Sequence, residues 1–109
     1  MTFEEYQKLS RETAIYPGIG KNFVYPTLGL AGEAGEVSEK VKKILRDNNG
    51  LVDEERKKEL IKELGDVLWY LSQIASELGV SLEEVASLNV EKFHSRHERN
   101  KVHGNGDSR

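Results

Sequence analysis

The sequence predicts an all-α fold, a four-helix bundle in which two long central helices run antiparallel. Apolar residues recur at helical intervals of three and four along two long stretches of the chain. No segment shows the alternation of polar and apolar residues that is typical of a β-strand. Capping and helix-breaking residues divide the chain into four segments, and the short loop between the two long segments favours antiparallel packing.

The first two predicted helices are bounded by recognisable signals. Thr2 and Glu5 have the spacing of a capping box, which predicts a helix from about Thr2 to Thr13. Pro26 suits the first position of the second helix, and the Asp47–Gly50 segment ends that helix. The predicted core-facing stripe of the second helix is Leu30, Ala34, Val37, Val41 and Ile44.

The third and fourth helices are bounded in the same way. Asp53 is a suitable N-cap for the third helix, and Gly79 ends it. Ser81 and Glu84 form a second capping-box spacing, which opens a fourth helix that runs to about Arg99. The predicted stripe of the third helix is Leu60, Leu64, Val67, Leu71, Ile74, Ala75 and Leu78.

Length and composition restrict the class of protein. A chain of 109 residues allows one domain, residues 1–100, followed by a polar tail, residues 101–109, that is a loop or disordered by itself. The formal net charge of -3 argues against a nucleic-acid partner. No apolar run approaches the roughly 20 residues of a membrane span, and the N-terminus is acidic, unlike a signal peptide. The absence of cysteine excludes disulfides and thiolate metal sites and fits the cytoplasm.

The two long helices contain the same short pattern: acid, apolar residue, glycine, acid. It is formed by Glu33 and Glu36 in the second helix and by Glu63 and Asp66 in the third. Acids three residues apart lie on one side of a helix, here beside the apolar stripe, so packing of the stripes brings the four carboxylates towards one another. Alternatively, each acid is an ordinary solvated residue of a protein with 32% charged residues.

Four converging carboxylates without a cationic partner repel one another, and no Lys or Arg lies within either pattern. Divalent cations such as Mg²⁺ and Mn²⁺ prefer carboxylate oxygens and would compensate this charge. The Glu-x-x-His spacing of di-iron bundles is absent. Gly35 and Gly65, each in mid-helix, predict a close backbone approach to another helix.

A cationic element follows in the fourth helix. Lys92 and Arg96 are four residues apart and share a helix face with Asn89, one turn earlier. Such a pair could bind the phosphates of a substrate held by the cations. As an alternative, both are ordinary solvated residues of a surface helix.

The acid patterns resemble the E-x-x-E … E-x-x-D signature of the all-α nucleoside triphosphate pyrophosphohydrolases, and the phrase from Gly32 to Lys40 resembles their MazG-like branch. The resemblance extends to Lys92-x-x-x-Arg96 and to the glycine-containing tail. It implies that the protein is an Mg²⁺-dependent enzyme, with Mn²⁺ as a second suitable ion, that cleaves a nucleoside triphosphate to the monophosphate and pyrophosphate.

The resemblance also implies roles for individual residues. Glu33, Glu36, Glu63 and Asp66 would bind Mg²⁺, and Lys92 and Arg96, helped by Asn89, would hold phosphate oxygens. Some MazG proteins carry an extra Glu where this chain has Gly32, and Glu39 is a candidate for the role of that residue in activating water. A homodimer or homotetramer with active sites near subunit boundaries is expected.

Several aromatic residues and two histidines are candidates for further roles. Trp69 lies away from the apolar stripe, which favours a subunit interface over base stacking, and Tyr70 lies on the acid face. Tyr16, Phe23 and Tyr25 form either part of a base pocket or loop packing, and His94 and His97 lack a third ligand for a metal.

The sequence is also compatible with two other functions. One is an enzyme that acts on dUTP or a phosphoribosyl nucleotide, and the other is a non-catalytic helical oligomer that binds metal.

Overall fold

A computed structural model describes all 109 residues and confirms the all-α prediction. It contains no β-strand. None of its helices combines the length and the apolar composition that crossing a bilayer requires. The four helices are α1 (Phe3–Glu12), α2 (Val24–Asn48), α3 (Glu54–Glu77) and α4 (Leu82–Glu98).

Most predicted helix ends are confirmed. The Thr2 hydroxyl accepts the Glu5 N–H at 3.1 Å, and the Glu5 carboxylate accepts the Thr2 N–H at 3.3 Å, so the first capping box is complete. Asp53 and Ser81 cap α3 and α4 by accepting backbone N–H groups three residues ahead. Asn49 adopts the left-handed conformation at the end of α2.

The predicted start of α2 was two residues late. The helix begins at Val24, and Pro26 is its third residue. Proline is tolerated there because the N–H groups of a first helical turn have no partner within the helix. The side-chain oxygen of Asn22 accepts the Tyr25 N–H at 3.1 Å and satisfies one of these donors.

The antiparallel pair α2 and α3 forms the main packing interface of the chain, in a single register. Lys40 pairs with Glu59 at 3.7 Å near one end. One level further on, Glu33 lies beside Asp66, and at the next level Gly29 lies against the ring of Tyr70. At the far end the Asn22 N–H donates to Glu77 at 2.6 Å. The spacing between successive contacts is the same on both segments, seven, four and seven residues, and the two segments run in opposite directions.

The predicted apolar stripes are only partly buried within the chain. Ile44 and Ala75 are buried, but Leu64 is 55% exposed and Val41 is 42% exposed. The most deeply buried side chains of α3 are polar: Ser72 and Gln73 both hydrogen-bond to Ser10 of α1, at 3.1 and 3.3 Å. No buried side-chain nitrogen or oxygen lacks a hydrogen-bond partner, so this polar contact is a satisfied part of the core.

The carboxylate of Glu77 ties the loop between α1 and α2 to the end of α3. Its side chain is 1% exposed. It accepts hydrogen bonds from the Arg11 guanidinium, the Tyr16 hydroxyl and the N–H groups of Gly20 and Asn22, at 2.6 to 2.8 Å. Burial alone would raise the pKa of Glu77, but these hydrogen bonds outweigh it and lower the pKa to about 2.

The close approach predicted at Gly35 and Gly65 was wrong within this chain, because a Cβ atom at either position would meet nothing within 4 Å. The glycine that the packing requires is Gly29. A Cβ atom there would lie 2.2 Å from Cε1 of Tyr70, so only glycine lets that ring pack against α2.

We therefore expect opposite effects of two alanine substitutions on the free energy of unfolding. Gly29→Ala should lower it by about 1–3 kcal/mol, because the Tyr70 ring must move. Gly35→Ala should raise it by up to about 1 kcal/mol, because alanine is the better helix former. Urea unfolding without divalent cations measures both. A Gly29→Ala protein as stable as the wild type would contradict the packing described above.

Candidate metal and substrate site

Three of the four predicted ligands come together between α2 and α3. One carboxylate oxygen each from Glu33, Glu63 and Asp66 lie within 4.8 Å of one another, and we call these three residues the acid cluster. Glu33 and Glu63 are half-buried, while Asp66 is exposed. The three-residue spacing of Glu63 and Asp66 puts both on the α3 side that faces Glu33. The acid cluster therefore opens to solvent along one edge.

The charge of the acid cluster is uncompensated by the chain. None of its members forms an ion pair with a Lys, Arg or His side chain. Burial raises the pKa of Glu33, and the negative charges of Asp66, Glu63 and Glu36 raise it further. The chain thus holds like charges together at a site that water can reach.

This donor set fits a hard divalent cation. All the donors are carboxylate oxygens, the ligands that Mg²⁺, Mn²⁺ and Ca²⁺ accept, and no nitrogen or sulfur donor is among them. The open edge leaves room for the waters or substrate oxygens that Mg²⁺ usually keeps. His94 and His97 lie on α4 and contribute nothing to the acid cluster.

The other two predicted acids lie outside the acid cluster. Glu36 is exposed one turn from Glu33, close enough for its charge to raise the pKa of Glu33. Glu39 pairs with Lys42 at 2.9 Å, and this hydrogen bond and charge lower the pKa of Glu39. The structure therefore brings Glu36 near the acid cluster and turns Glu39 towards the neighbouring lysines of α2.

The predicted phosphate-binding residues are on α4, which contacts α1 and α3 but not α2. Lys92 and Arg96 both donate to the same carboxylate oxygen of Asp107, at 2.8 and 3.1 Å. These hydrogen bonds lower the pKa of Asp107. Asn89 is exposed. Within one chain, then, the cations face the tail, and they have no contact with Glu33 on α2.

The tail after α4 has no helix but forms a closed loop, not a free end. The guanidinium of Arg109 donates to the backbone carbonyls of Lys101, Val102 and Gly106. This loop places Asp107 over the two α4 cations. The sequence includes the tail in the family resemblance but does not predict this contact, because Asp107 is 11 residues from Arg96 and 15 from Lys92.

Aromatic side chains lie next to the acid cluster. The ring of Tyr70 packs against Gly29, one turn before Glu33 on α2. Burial raises the pKa of the Tyr70 hydroxyl, and electrostatic interaction with Tyr25, Glu33 and Asp66 raises it further. The rings of Tyr16 and Tyr25 stack with centroids 5.1 Å apart and an interplanar angle of 10°. Phe23 is exposed at the start of α2.

Trp69 has partners within its own chain. Its indole Nε1 donates to the Thr13 hydroxyl at 3.1 Å, and its ring packs edge-on against Tyr70 with centroids 5.0 Å apart. The ring is half-buried. Trp69 therefore packs against the end of α1 and against Tyr70 within its own chain, and the subunit interface at Trp69 stays a prediction.

The site is a cluster of carboxylates, open to solvent, between the two long antiparallel helices of an all-α protein. Its donor atoms are of the kind that hard divalent cations bind. The sequence profile of the MazG nucleotide pyrophosphohydrolase domain matches residues 26–100. The Gene 37 protein of Mycobacterium phage L5 is 46% identical over 114 aligned positions, which cover 100% of both chains. The uncharacterized protein YvdC of Bacillus subtilis (strain 168) is 39% identical over 74 residues, which cover 63% of this chain and 70% of that protein. No solved structure matches. The chain belongs to the MazG nucleotide pyrophosphohydrolase family.

If the acid cluster binds a divalent cation, the cation should stabilise the folded protein. We expect millimolar Mg²⁺ or Mn²⁺ to raise the melting temperature of the wild type by about 5 °C or more, since ligands of the folded state add to its stability. Asp66→Asn should abolish this rise and, by relieving repulsion, should not lower the melting temperature without metal.

The matched control is Glu39→Gln, which removes the same charge from α2 outside the acid cluster and should keep the rise. Differential scanning calorimetry measures all three proteins. An equal rise in wild type and Asp66→Asn would show that the cation binds elsewhere.

Proposed function

We propose that this protein is a divalent-cation-dependent pyrophosphohydrolase that cleaves a nucleoside or deoxynucleoside triphosphate to the monophosphate and pyrophosphate. The observation that carries the proposal is the acid cluster, which lies between α2 and α3 and within the residues that the MazG domain profile matches. A solvent-open site of carboxylates without cations suits a substrate that arrives as a complex of metal and polyphosphate.

Glu33, Glu63 and Asp66 are the proposed metal ligands, with Mg²⁺ as the preferred ion and Mn²⁺ as a substitute. Glu36, exposed one turn away, completes the set. When bound, the ion neutralises phosphate charge and lowers the pKa of a coordinated water. The half-buried carboxylates of Glu33 and Glu63 would hold the ion from the helix side, and Asp66 would hold it from the exposed edge. The polyphosphate would bind through the ion, because the carboxylates themselves repel it.

Lys92 and Arg96 are the proposed phosphate-binding residues, with Asn89 beside them. Both cations donate to one carboxylate oxygen of Asp107. This shared contact with an anionic oxygen supports the proposal that the pair binds a phosphate oxygen. Because α4 does not contact α2 in the same chain, we expect these cations to meet the acid cluster across a boundary between two copies. The proposed active site is therefore composite.

The base would lie on the aromatic side of the acid cluster. Tyr70 follows Asp66 by one turn on α3, and its ring packs against Gly29. Tyr25, Gly29 and Glu33 follow one another at intervals of four along one side of α2. The base and the sugar that are preferred have to be measured, and dUTP and phosphoribosyl nucleotides belong in the same panel. We place the activity in the cytoplasm, where nucleoside triphosphates are held.

We expect steady release of pyrophosphate from at least one nucleoside triphosphate in the presence of Mg²⁺, with one monophosphate formed per pyrophosphate. Asp66→Asn should lower kcat by about a hundredfold or more, because it removes a negative ligand from the metal site. Glu91→Gln, an exposed acid of α4, is the matched control and should match the wild type.

Chromatography of the products over a panel of ribo- and deoxyribonucleotides, dUTP and phosphoribosyl nucleotides measures this. Formation of a diphosphate and orthophosphate would contradict the proposed reaction. No product from any nucleotide, with intact metal binding, would favour the non-catalytic metal-binding oligomer.

We further propose that the protein assembles as a homodimer or homotetramer. The single chain leaves large apolar side chains on its long helices in water, among them Leu28 at 68%, Leu45 at 65% and Ile61 at 57% exposure. Large apolar side chains exposed in such number are typical of proteins that bury them between subunits. Trp69, which already packs against α1, is a weaker candidate for the contact than Ile61.

Ile61→Glu should therefore dissociate the assembly and lower activity, since the composite site would be lost. Lys8→Glu, which reverses an exposed charge on α1 without removing apolar surface, is the control and should leave the mass unchanged. Light scattering at micromolar concentration gives the mass of each protein. A wild type that is monomeric and fully active would contradict the composite site.

A further inference from the structure

The side of α3 that carries the acid cluster continues to Glu77. Asp66, Tyr70, Gln73 and Glu77 follow one another at intervals of four, three and four residues, so they share one side of the helix. The opposing side of α2 and its leading loop carries Glu33, Gly29 and Asn22 at matching levels. One continuous polar and aromatic strip therefore runs from the acid cluster to Glu77.

Glu77 holds the loop that carries the aromatic end of this strip. Its carboxylate accepts the Tyr16 hydroxyl at 2.7 Å and the N–H groups of Gly20 and Asn22 at 2.8 and 2.6 Å. Asn22 in turn accepts the N–H of Tyr25. Both partners of the Tyr16–Tyr25 stack are thus linked to Glu77. Tyr16 is linked by its own hydroxyl, and Tyr25 by Asn22, whose N–H donates to Glu77 and whose side-chain oxygen accepts the Tyr25 N–H.

The stack has one covered ring and one open ring. Tyr16 is buried at 7% exposure, whereas Tyr25 is 42% exposed. Tyr25 and Glu33 are eight residues apart on α2, about 12 Å along the helix axis, with Gly29 and the Tyr70 ring between them. An extended nucleotide covers a length of this order between its polyphosphate and its base.

We propose that Glu77 is a positioning residue for base recognition: through Tyr16 and the loop backbone it holds Tyr25 as an open aromatic platform on which the base of a nucleotide bound at the acid cluster stacks. This inference rests on the proposed function. A rigid aromatic ring provides stacking to any base, and the loop hydrogen-bonded to Glu77 keeps that ring at one distance from the acid cluster.

The test compares two ligands that share the polyphosphate and differ in the base. One is a nucleoside triphosphate with an α,β-imido bridge, taken from the preferred substrate, and the other is inorganic tripolyphosphate, both with Mg²⁺. Titration calorimetry measures each Kd for the wild type, Glu77→Gln, Tyr25→Ala, the double variant and the control Glu91→Gln.

We expect Glu77→Gln to weaken nucleotide binding about tenfold, within the range of a lost base–aromatic stack, and to leave tripolyphosphate binding unchanged. Tyr25→Ala should have the same effect. The double variant should bind the nucleotide no more weakly than the single variant with the larger loss, because both changes remove the same contact between base and ring. In turnover assays KM should rise while kcat at saturation is kept.

An unchanged nucleotide Kd in folded Glu77→Gln would overturn the inference, and so would an equal loss for both ligands, which a merely structural role produces. If Glu77→Gln does not fold, Tyr16→Phe takes its place, because it removes the hydroxyl that donates to Glu77 and keeps both rings of the stack. An unchanged nucleotide Kd in Tyr16→Phe would then overturn the inference. Absence of pyrophosphate release from the wild type would instead refute the proposed function, whatever the ratio of the two Kd values.

Discussion

The structure depends on one register between α2 and α3. The same alignment pairs Lys40 with Glu59, brings Glu33 to Glu63 and Asp66, seats the Tyr70 ring over Gly29 and delivers the backbone of Asn22 to Glu77. Gly29 fixes this alignment sterically, since any side chain there would meet the ring. A shift by one residue would rotate every one of these contacts away from its partner, because neighbouring helical residues differ in direction by about 100°.

This register has an energetic cost that the proposed function explains. Positions between α2 and α3 that would be apolar in a bundle built for stability alone hold the acid cluster, Tyr70, Gln73 and Glu77. Some apolar residues beside them, such as Leu64 and Val41, stay exposed. The hydrogen bonds of Glu77 and Gln73 stabilise one end of the strip, whereas the like charges of the acid cluster destabilise the other. A bound cation and a second copy of the chain would relieve the charge and the exposed apolar surface, respectively.

Local chemistry made the helices predictable, since the caps at Thr2, Asp53 and Ser81 act within one turn. The convergence of Glu33, Glu63 and Asp66 was also predictable, because equal spacing on two antiparallel helices brings like positions together. What the sequence could not provide were contacts across long separations. The pairing of Asp107 with Lys92 and Arg96, the hydrogen bonds to Glu77 and the close approach at Gly29, in place of Gly35, all depend on how whole segments meet.

We propose that one register makes Glu33, Glu63 and Asp66 ligands of the same divalent-cation site. Paramagnetic broadening of backbone amide signals by substoichiometric Mn²⁺ tests it most directly. The structure predicts two maxima of broadening in the sequence, one around Glu33 on α2 and one across Glu63 and Asp66 on α3, with the signals of Glu77 and the Gly20–Asn22 loop much less affected. A maximum on only one helix, or one centred on Glu39, would contradict the shared site and the register that creates it.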